Sequence, residues 1–434
     1  MTAAPAADIA ATEPAPQLSV RVRHLLDVAR EAFVKEGFDG TSIDAIALEA
    51  GVSKETIYRH FPDKPALFRA ALEDLAGRFA RRAATIGGGQ GHALEDLARA
   101  ILDAAVEGGL LSPLWLAAGL AGRMPAFARE LQQGQWVQLE PVRAALADHA
   151  RAQGIATEVP IALALDFGSL SVEGPALLLG FTPPPPELRE AIAMRVAALF
   201  SGGLASLTAD GAVLGRDEAR PVDAAAPPAS DTLRRILGVA AELFVTRGYE
   251  ATTLAEIRVA AQAGRGTLYR HFGSKEGLFR AAMRQRAAEV MAEARVPDLL
   301  ADAEAAGLAR YLLAAIDNLA SPRSIDLHRC AISASRRDPD LARTLHDALR
   351  RPWLDPLAAW IAARTGLPDA RWLARQALVL ALQGSRLFAS GARLGAAEGE
   401  RQARVSAAIL LHGYCRALVH ELPVDALHEL PPAS

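Results

Sequence analysis

The chain carries one stretch twice. Residues 31–71 read EAFVKEGFDGTSIDAIALEAGVSKETIYRHFPDKPALFRAA, and residues 242–282 read ELFVTRGYEATTLAEIRVAAQAGRGTLYRHFGSKEGLFRAA. They align without a gap at a constant offset of 211 (244 − 33 for the two phenylalanines, 269 − 58 for the two tyrosines), with 18 of 41 positions identical. Whatever local structure the first copy adopts, the second must adopt as well. The 434 residues allow two to four domains. The repeat selects two similar halves of about 200 residues, each large enough for its own core.

Composition then fixes the class. Hydrophobic residues make up 51% and aromatics only 5%, with Ala, Leu and Arg abundant and β-branched residues sparse. That predicts an all-α protein. Lys+Arg 47 against Asp+Glu 50 leaves a net charge of −3, so the whole molecule is no basic nucleic-acid sponge. Locally the balance shifts: residues 21–82 carry 11 basic and 10 acidic side chains (+1), and 231–295 carry 11 and 7 (+4). Both repeated segments are thus more positive than the chain average, as a phosphate-facing module requires, although the first only modestly. Cys330 and Cys415 make no disulfide framework and fit a reduced compartment, as buried inert thiols or as a redox pair. The first residues, MTAAPAADIAATEPAPQ, lack the basic and apolar regions of a signal peptide. No uninterrupted apolar run approaches the ~20 residues of a membrane helix. A cytoplasmic location and no membrane partner are therefore expected.

Along the chain, residues 1–18 read as an Ala/Pro-rich disordered tail and 19–85 as the first repeated module. GGGQG at 87–91 breaks the helical pattern, and apolar helices follow over 92–207. Residues 208–230 mix Gly, Pro, Ala and charge as a linker does. The second module spans 231–295 and a second helical block 303–420. The blocks echo each other faintly: MPAFAREL at 124–131 against DPDLARTL at 338–345, and VEGPALLLGF at 172–181 against LQGSRLFASG at 382–391. The duplicated unit is thus expected to be the module plus its block.

Within the module, Val22, Leu25, Leu26, Ala29, Ala32 and Phe33 give one apolar helix face. Gly37 stops that helix, and Thr41 and Ser42 offer hydroxyl caps for the next, as Thr253 with Glu256 does in the second copy. Ile43, Ile46 and Ala47 face inward, Gly51 permits a tight turn, and Ser53 caps a short helix from Lys54 to Phe61. There Ile57 and Phe61 face the core while Lys54, Glu55, Tyr58 and Arg59 point elsewhere. Asp63 caps a further helix with Lys64 in its first turn, where a lysine and free backbone N–H groups make a phosphate clamp.

TSIDAIALEAGVSKETIYRHF at 41–61 with DKPALF at 63–68, and TTLAEIRVAAQAGRGTLYRHF at 252–272 with SKEGLF at 274–279, closely resemble the helix-turn-helix of the tetracycline-repressor (TetR) family. The likeness covers roughly a quarter of the chain directly. It implies two TetR-type DNA-binding domains, each followed by a helical bundle that senses a ligand and dimerises. It implies double-stranded operator DNA and an unidentified small-molecule effector as partners, and no cofactor. By that resemblance Thr41, Ser42, Tyr58 and Lys64 touch phosphates, and Ser53, Lys54, Glu55, Thr56, Arg59 and His60 lie near base edges. The second-copy equivalents are Thr252, Thr253, Tyr269 and Lys275, then Gly264, Arg265, Gly266, Thr267, Arg270 and His271. His60 and His271, each beside a core Phe, either fix the structure or touch DNA.

The copies differ where it matters. Gln262 stands at the turn glycine and must adopt a positive φ or shift the turn. Gly264 replaces the cap Ser53, and Gly266 replaces Glu55, whose carboxylate can accept from a cytosine amino group. The two readers are expected to prefer different bases. Trp115, Phe127, Trp136 and Phe167 in the first block, with Trp353, Trp360, Trp372 and Phe388 in the second, read as core, with lining of a ligand pocket as the alternative. No nucleophile elbow, His-x-x-x-His or phosphate loop is present, so no catalytic or metal site is expected.

The reading is a ligand-responsive DNA-binding regulator, a repressor, made of two fused TetR-like units. Family members pair as two chains; here an intramolecular pseudo-dimer is expected, with a homodimer carrying four readers as the alternative. The 23-residue linker, with a coil span of about 25 Å and a reach of roughly 75 Å, permits the former. The rival reading is a small-molecule-binding or partner-binding module whose readers are relics.

Overall fold

A computed structural model describes residues 20–74, 94–107, 139–156, 158–208, 230–298, 305–384 and 394–420, with 110–111, 114–115, 117–118 and 126 as short pieces. All its regular elements are helices, with no strand among the described residues. The tail over 1–18, the linker over 209–229 and the predicted pocket residues Phe127, Trp136 and Phe388 lie outside the described residues. The chain divides into two compact units, 1–74 and 75–434.

The first unit holds α1 (Val20–Gly40), α2 (Ile43–Glu49) and α3 (Lys54–His60), then a helical run over 64–74. Leu25, Leu26, Ala29 and Phe33 bury the inner face of α1, as their i, i+3, i+4 spacing dictates. Gly37 interrupts that helix at φ 75, a value glycine adopts without the Cβ penalty. Phe33 packs edge-on against Phe68 with ring centroids 4.8 Å apart, and Phe38 joins them at 5.2 Å from Phe68.

The second unit begins with α4 (Leu94–Val106), α5 (Glu140–Ala152), α6 (Ile161–Ser171) and α7 (Pro186–Gly202). The second reader follows as α8 (Asp231–Ala251), α9 (Leu254–Ala260), α10 (Arg265–Phe272) and α11 (Lys275–Glu293). The last block is α12 (Ala305–Leu319), α13 (Pro322–Ala334), α14 (Pro339–Thr365), α15 (Ala370–Ala381), α16 (Ala396–His412) and α17 (Tyr414–His420). The two blocks are built alike. Helix α4 packs on α7 and α12 on α16, with Leu97, Ile101 and Leu102 buried on α4 and Leu308, Leu312 and Ile316 buried on α12. The second reader joins the last block because α8 and α11 lie on α13 and α11 also lies on α14.

The blocks also pack on each other, α7 against α16 and α6 against α15, and the contact is reciprocal. Here the offset is 210 (384 − 174, 413 − 203). A Cβ on Gly174 would meet the Val379 side chain, and one on Gly384 would meet Ser169, the residue 210 before Val379. A Cβ on Gly203 would run into the backbone of Leu411 and His412, and one on Gly413 into that of Ser201 and Gly202. This exchange, where i touches j′ and i′ touches j, is the signature of an isologous two-fold interface. The faint echo over 172–181 and 382–391 marks it: Glu173 and Gln383 share a left-handed backbone (φ 55 and 51), as do Gly174 and Gly384 (φ 65 and 61).

One buried ion pair pins the blocks on one side. Arg195 on α7 grips Asp369 before α15 in bidentate fashion, Nε to Oδ2 2.7 Å and Nη2 to Oδ1 2.5 Å, with side chains 8% and 1% exposed. Arg195→Met leaves that carboxylate buried without its counterion, which costs about 3–5 kcal/mol. In urea unfolding the single variant is expected to lose that much. Arg195→Met combined with Asp369→Leu is expected to return to within about 1 kcal/mol of the parent, because an apolar pair replaces an ionic one at little net cost. A single variant as stable as the parent contradicts the pairing.

Candidate nucleic-acid interface

The readers are assembled from local signals. In the first, Ser42 caps α2 by accepting from the Asp44 N–H at 3.2 Å, and Ser53 caps α3 by accepting from the Thr56 N–H at 3.1 Å. Asp63 caps the next helical run, its Oδ1 accepting from the Ala66 N–H at 2.7 Å. In the second, Thr253 and Glu256 form a complete capping box, the Thr253 N–H reaching Glu256 Oε2 at 2.8 Å. Gly264 caps α10 without a side-chain hydrogen bond, and Ser274 caps α11. Of the two ways open to the turn, Gln262 takes the positive φ, at 48 against 63 for Gly51. The register of the second reader is thereby preserved at the expense of local strain.

Ile57 and Leu268 anchor the two short helices in the core. Around them Ser53, Lys54, Glu55, Arg59 and His60 are exposed in the first reader, and Gly264, Gly266, Arg270 and His271 in the second. Tyr58 and Tyr269 are 44% and 49% exposed, large aromatic surfaces left in water. Thr56 and Thr267 are half-buried, and Ser42 and Thr253 are exposed. Arg265 opens α10, and its side chain is outside the described set.

Thr41 and Thr252 are a correction. Both are buried, and their hydroxyls donate inward, Thr41 to Gly37 O (2.6 Å) and Ala32 O (3.1 Å), Thr252 to Gly248 O (2.8 Å) and Leu243 O (3.1 Å). A hydroxyl that ties the end of the first helix to the start of the second does not face a phosphate. The hydroxyl cap just inside a glycine stop reads the same for either role, which is why sequence misplaced it.

The cations differ between copies. Lys54 Nζ sits 3.0 Å from Asp44 Oδ1, and that hydrogen bond raises its pKa. The equivalent of Asp44 is Ala255, so the second recognition helix starts without this internal acid. Lys64 lies 4.8 Å over the Phe38 ring and Lys275 4.4 Å over Tyr249, contacts that hold each ammonium at its helix start. Lys275 also donates to Glu250 O at 3.3 Å, and partial burial lowers its pKa.

Sequence gave no notice of what fastens the second reader to its block. Arg337, just beyond α13, stacks 4.2 Å over Tyr249 and pairs with Glu250. Arg280 Nε on α11 lies 2.6 Å from Asp338 Oδ2, while Asp338 Oδ1 caps α14 through the Leu341 N–H. The Asp-Pro start of α14 was the available signal for the cap; its ionic partner was not legible.

The aromatic residues considered for a pocket sit in packing roles. Phe167 is buried edge-on to Phe200. Trp353 and Trp372 are buried with their Nε1–H groups donating to Asn318 Oδ1 (3.3 Å) and Glu173 Oε1 (2.7 Å). Trp115 and Trp360 are half-buried beneath Arg336 and Arg364. None of these five lines the cleft between the blocks that Phe181 walls on one side. Burial pushes the Cys330 thiol up to about 12 and raises that of Cys415, so neither supplies a thiolate near neutral pH. No helix among the described residues is long and apolar enough to cross a membrane.

Thr252→Val keeps the shape and deletes the hydroxyl, leaving the Leu243 and Gly248 carbonyls without it. The expected loss is about 1–2 kcal/mol of unfolding free energy by denaturant melt, against a few tenths for the exposed Ser42→Ala. A Thr252→Val variant as stable as the parent would return that hydroxyl to the phosphate-facing set.

Comparison with known proteins agrees with this geometry. The model of the bacterial regulatory proteins of the tetR family matches residues 25–71 and again 236–282, and that of the AefR-like transcriptional repressor C-terminal domain matches 306–416. The transcriptional regulator QacR of Staphylococcus aureus is 53% identical over 45 residues, 10% of this chain and 24% of that protein. AcrR of Shigella flexneri is 48% identical over 51 residues, 12% of this chain and 24% of that protein. The repressor Rv1474c of Mycobacterium tuberculosis is 36% identical over 70 residues, 16% of this chain and 37% of that protein. The chain thus spans between about a quarter and two fifths of these relatives' lengths. A TetR-family regulator structure from Mesorhizobium loti aligns at 27% identity over 42% of this chain and 96% of that one, TM-score 0.37. The chain thus carries two matches to the DNA-binding domain of the tetR family, and its last helical block matches the C-terminal domain of AefR-like repressors.

Proposed function

We propose that the chain is a cytoplasmic, sequence-specific DNA-binding transcriptional regulator, a ligand-responsive repressor that works as a single-chain pseudo-dimer. Two readers supply two half-site contacts, and the reciprocal packing of α6 and α7 on α15 and α16 carries the pairing within one chain. Fusion keeps each half at roughly millimolar effective concentration for the other, so pairing becomes independent of protein concentration.

In this reading Ser42, Tyr58 and Lys64, with Thr253, Tyr269 and Lys275, hold phosphates. Ser53, Lys54, Glu55, Thr56, Arg59 and His60, with Gly264, Arg265, Gly266, Thr267, Arg270 and His271, meet base edges. Successive major grooves on one face of a duplex lie about 34–36 Å apart, the spacing a pair of such half-sites offers. Glu55 and the Asp44–Lys54 pair in one reader, against Gly266 and Ala255 in the other, make the half-sites unequal. The rival, a ligand-binding module with relic readers, leaned on Gln262 and on the near-neutral charge of the first reader; Gln262 takes a positive φ as Gly51 does.

Selection from random duplex DNA with the intact chain is expected to enrich a two-part, non-palindromic site. Lys64→Ala and Lys275→Ala should each weaken binding about tenfold or more and each lower the salt slope by about one unit. A palindrome weakened by Lys64→Ala alone would put pairing between chains with the second reader idle. Failure to enrich any sequence would move the function to the helical blocks.

A further inference from the structure

The second unit holds a cleft between the two helical blocks, about 560 Å³ when its opening to solvent is included. One side is Pro175, Ala176 and Phe181, which follow α6; the other is Leu378, Val379 and Leu382 on and after α15. The charged groups at its edge balance, Glu173 and Asp347 against Arg350 and Arg375. Glu173 accepts from Trp372 Nε1 at 2.7 Å, Asp347 Oδ1 lies 3.0 Å from His346 Nδ1, and Arg350 Nη1 lies 2.5 Å from His328 Nε2.

Gln376 also lines this cleft, is 1% exposed, and its Oε1 has no hydrogen-bond partner among the described residues. Buried acceptors are normally matched, and an unmatched one is costly. The two-fold relation explains the vacancy. The counterpart of Gln376 is Asp166 (376 − 210), which accepts from Gln402 Nε2 at 3.4 Å. The counterpart of Gln402 is Ile192 (402 − 210), which has no amide to give. One half fills its polar position from within; the other leaves an acceptor open beside a cleft.

We propose that this cleft binds one small, uncharged, largely apolar molecule per chain, whose hydroxyl or N–H group donates to Gln376 Oε1. The balanced charges disfavour an ion, the apolar walls take a hydrocarbon or aromatic body, and the amide sets its orientation. The broken symmetry makes the stoichiometry one. Helix α14 carries His346, Asp347 and Arg350 at the cleft and starts at the Asp338 cap that holds Arg280 of the second reader. Occupancy thus has a direct mechanical route to α11, effective to the extent that ligand affinity differs between two positions of α14. The site goes beyond the regulator reading and depends only on the packing of the two blocks.

The test uses the intact chain without DNA and three two-ring probes: 2-naphthol, naphthalene and 2-naphthoate. Fluorescence titration is expected to give one 2-naphthol site per chain, with 2-naphthoate at least tenfold weaker. Gln376→Leu removes the acceptor and should weaken 2-naphthol about tenfold while leaving naphthalene unchanged. Gln376→Met, closer in shape, should do the same and covers a folding defect in the first variant. The site is overturned by absence of 2-naphthol binding, by equal affinity in both variants, or by preference for 2-naphthoate. Because DNA is absent, failure here leaves the DNA selection result untouched, and the reverse also holds.

Discussion

At the ends of α7 and α16 the chain crosses itself with backbone against backbone. Gly203 and Gly413 stand there at φ 68 and 82, and a Cβ on either would occupy the space of the other strand's peptide groups. Nothing larger than glycine fits, and no L side chain favours that backbone. The close approach brings α7 against α16, which brings α6 against α15 through Gly174 on Val379 and Gly384 on Ser169. Because the second reader is packed on α13 and α14 of the same unit, its position follows from that crossing. The cleft beside Gln376 is also a product of it.

Duplication inside one chain frees this interface from strict symmetry. In a pair of identical chains each substitution occurs twice; here each half can change alone. Arg195 and Asp369 form a buried ion pair, while their counterparts 210 positions away, Val405 and Val159, are two buried valines. Ionic and apolar solutions of one packing problem are close in free energy, so such drift costs little stability while marking the two sides as different. The same drift gave Asp166 a partner and left Gln376 Oε1 without one among the described residues. The readers diverged in parallel: Asp44 restrains Lys54 in one and is Ala255 in the other.

Much of this was legible in the residues. The gap-free repeat, the glycine stop at Gly37, the caps Ser42, Ser53 and Asp63, and the inward Ile57 locate the helices because each acts over four residues or fewer. The helical class followed from composition. The weak echo around Gly174 and Gly384 pointed to a duplicated block, but its meaning as a contact surface depends on which residues meet across the interface, and no local pattern encodes that. Thr41 and Thr252 were misplaced for a related reason: a capping hydroxyl and a phosphate-binding hydroxyl occupy the same sequence position, and only the carbonyls at 2.6–3.1 Å separate them. The aromatic residues were read as core or pocket, and Phe167, Trp353 and Trp372 lie in the core; Phe181 and Gln376, which line the cleft, carried no distinguishing signal. The latches Arg337–Glu250 and Arg280–Asp338 join residues 87 and 58 positions apart (337 − 250, 338 − 280), beyond any local reading.

The central claim is that the two halves pair within a chain. Sedimentation equilibrium of the intact protein over a hundredfold concentration range, alone and on its selected duplex, addresses it directly. The account predicts a particle of one 45.9 kDa chain throughout, and one chain per duplex in the complex. A DNA-competent particle of twice that mass, dissociating on dilution with loss of binding, would contradict it and place the working interface between chains.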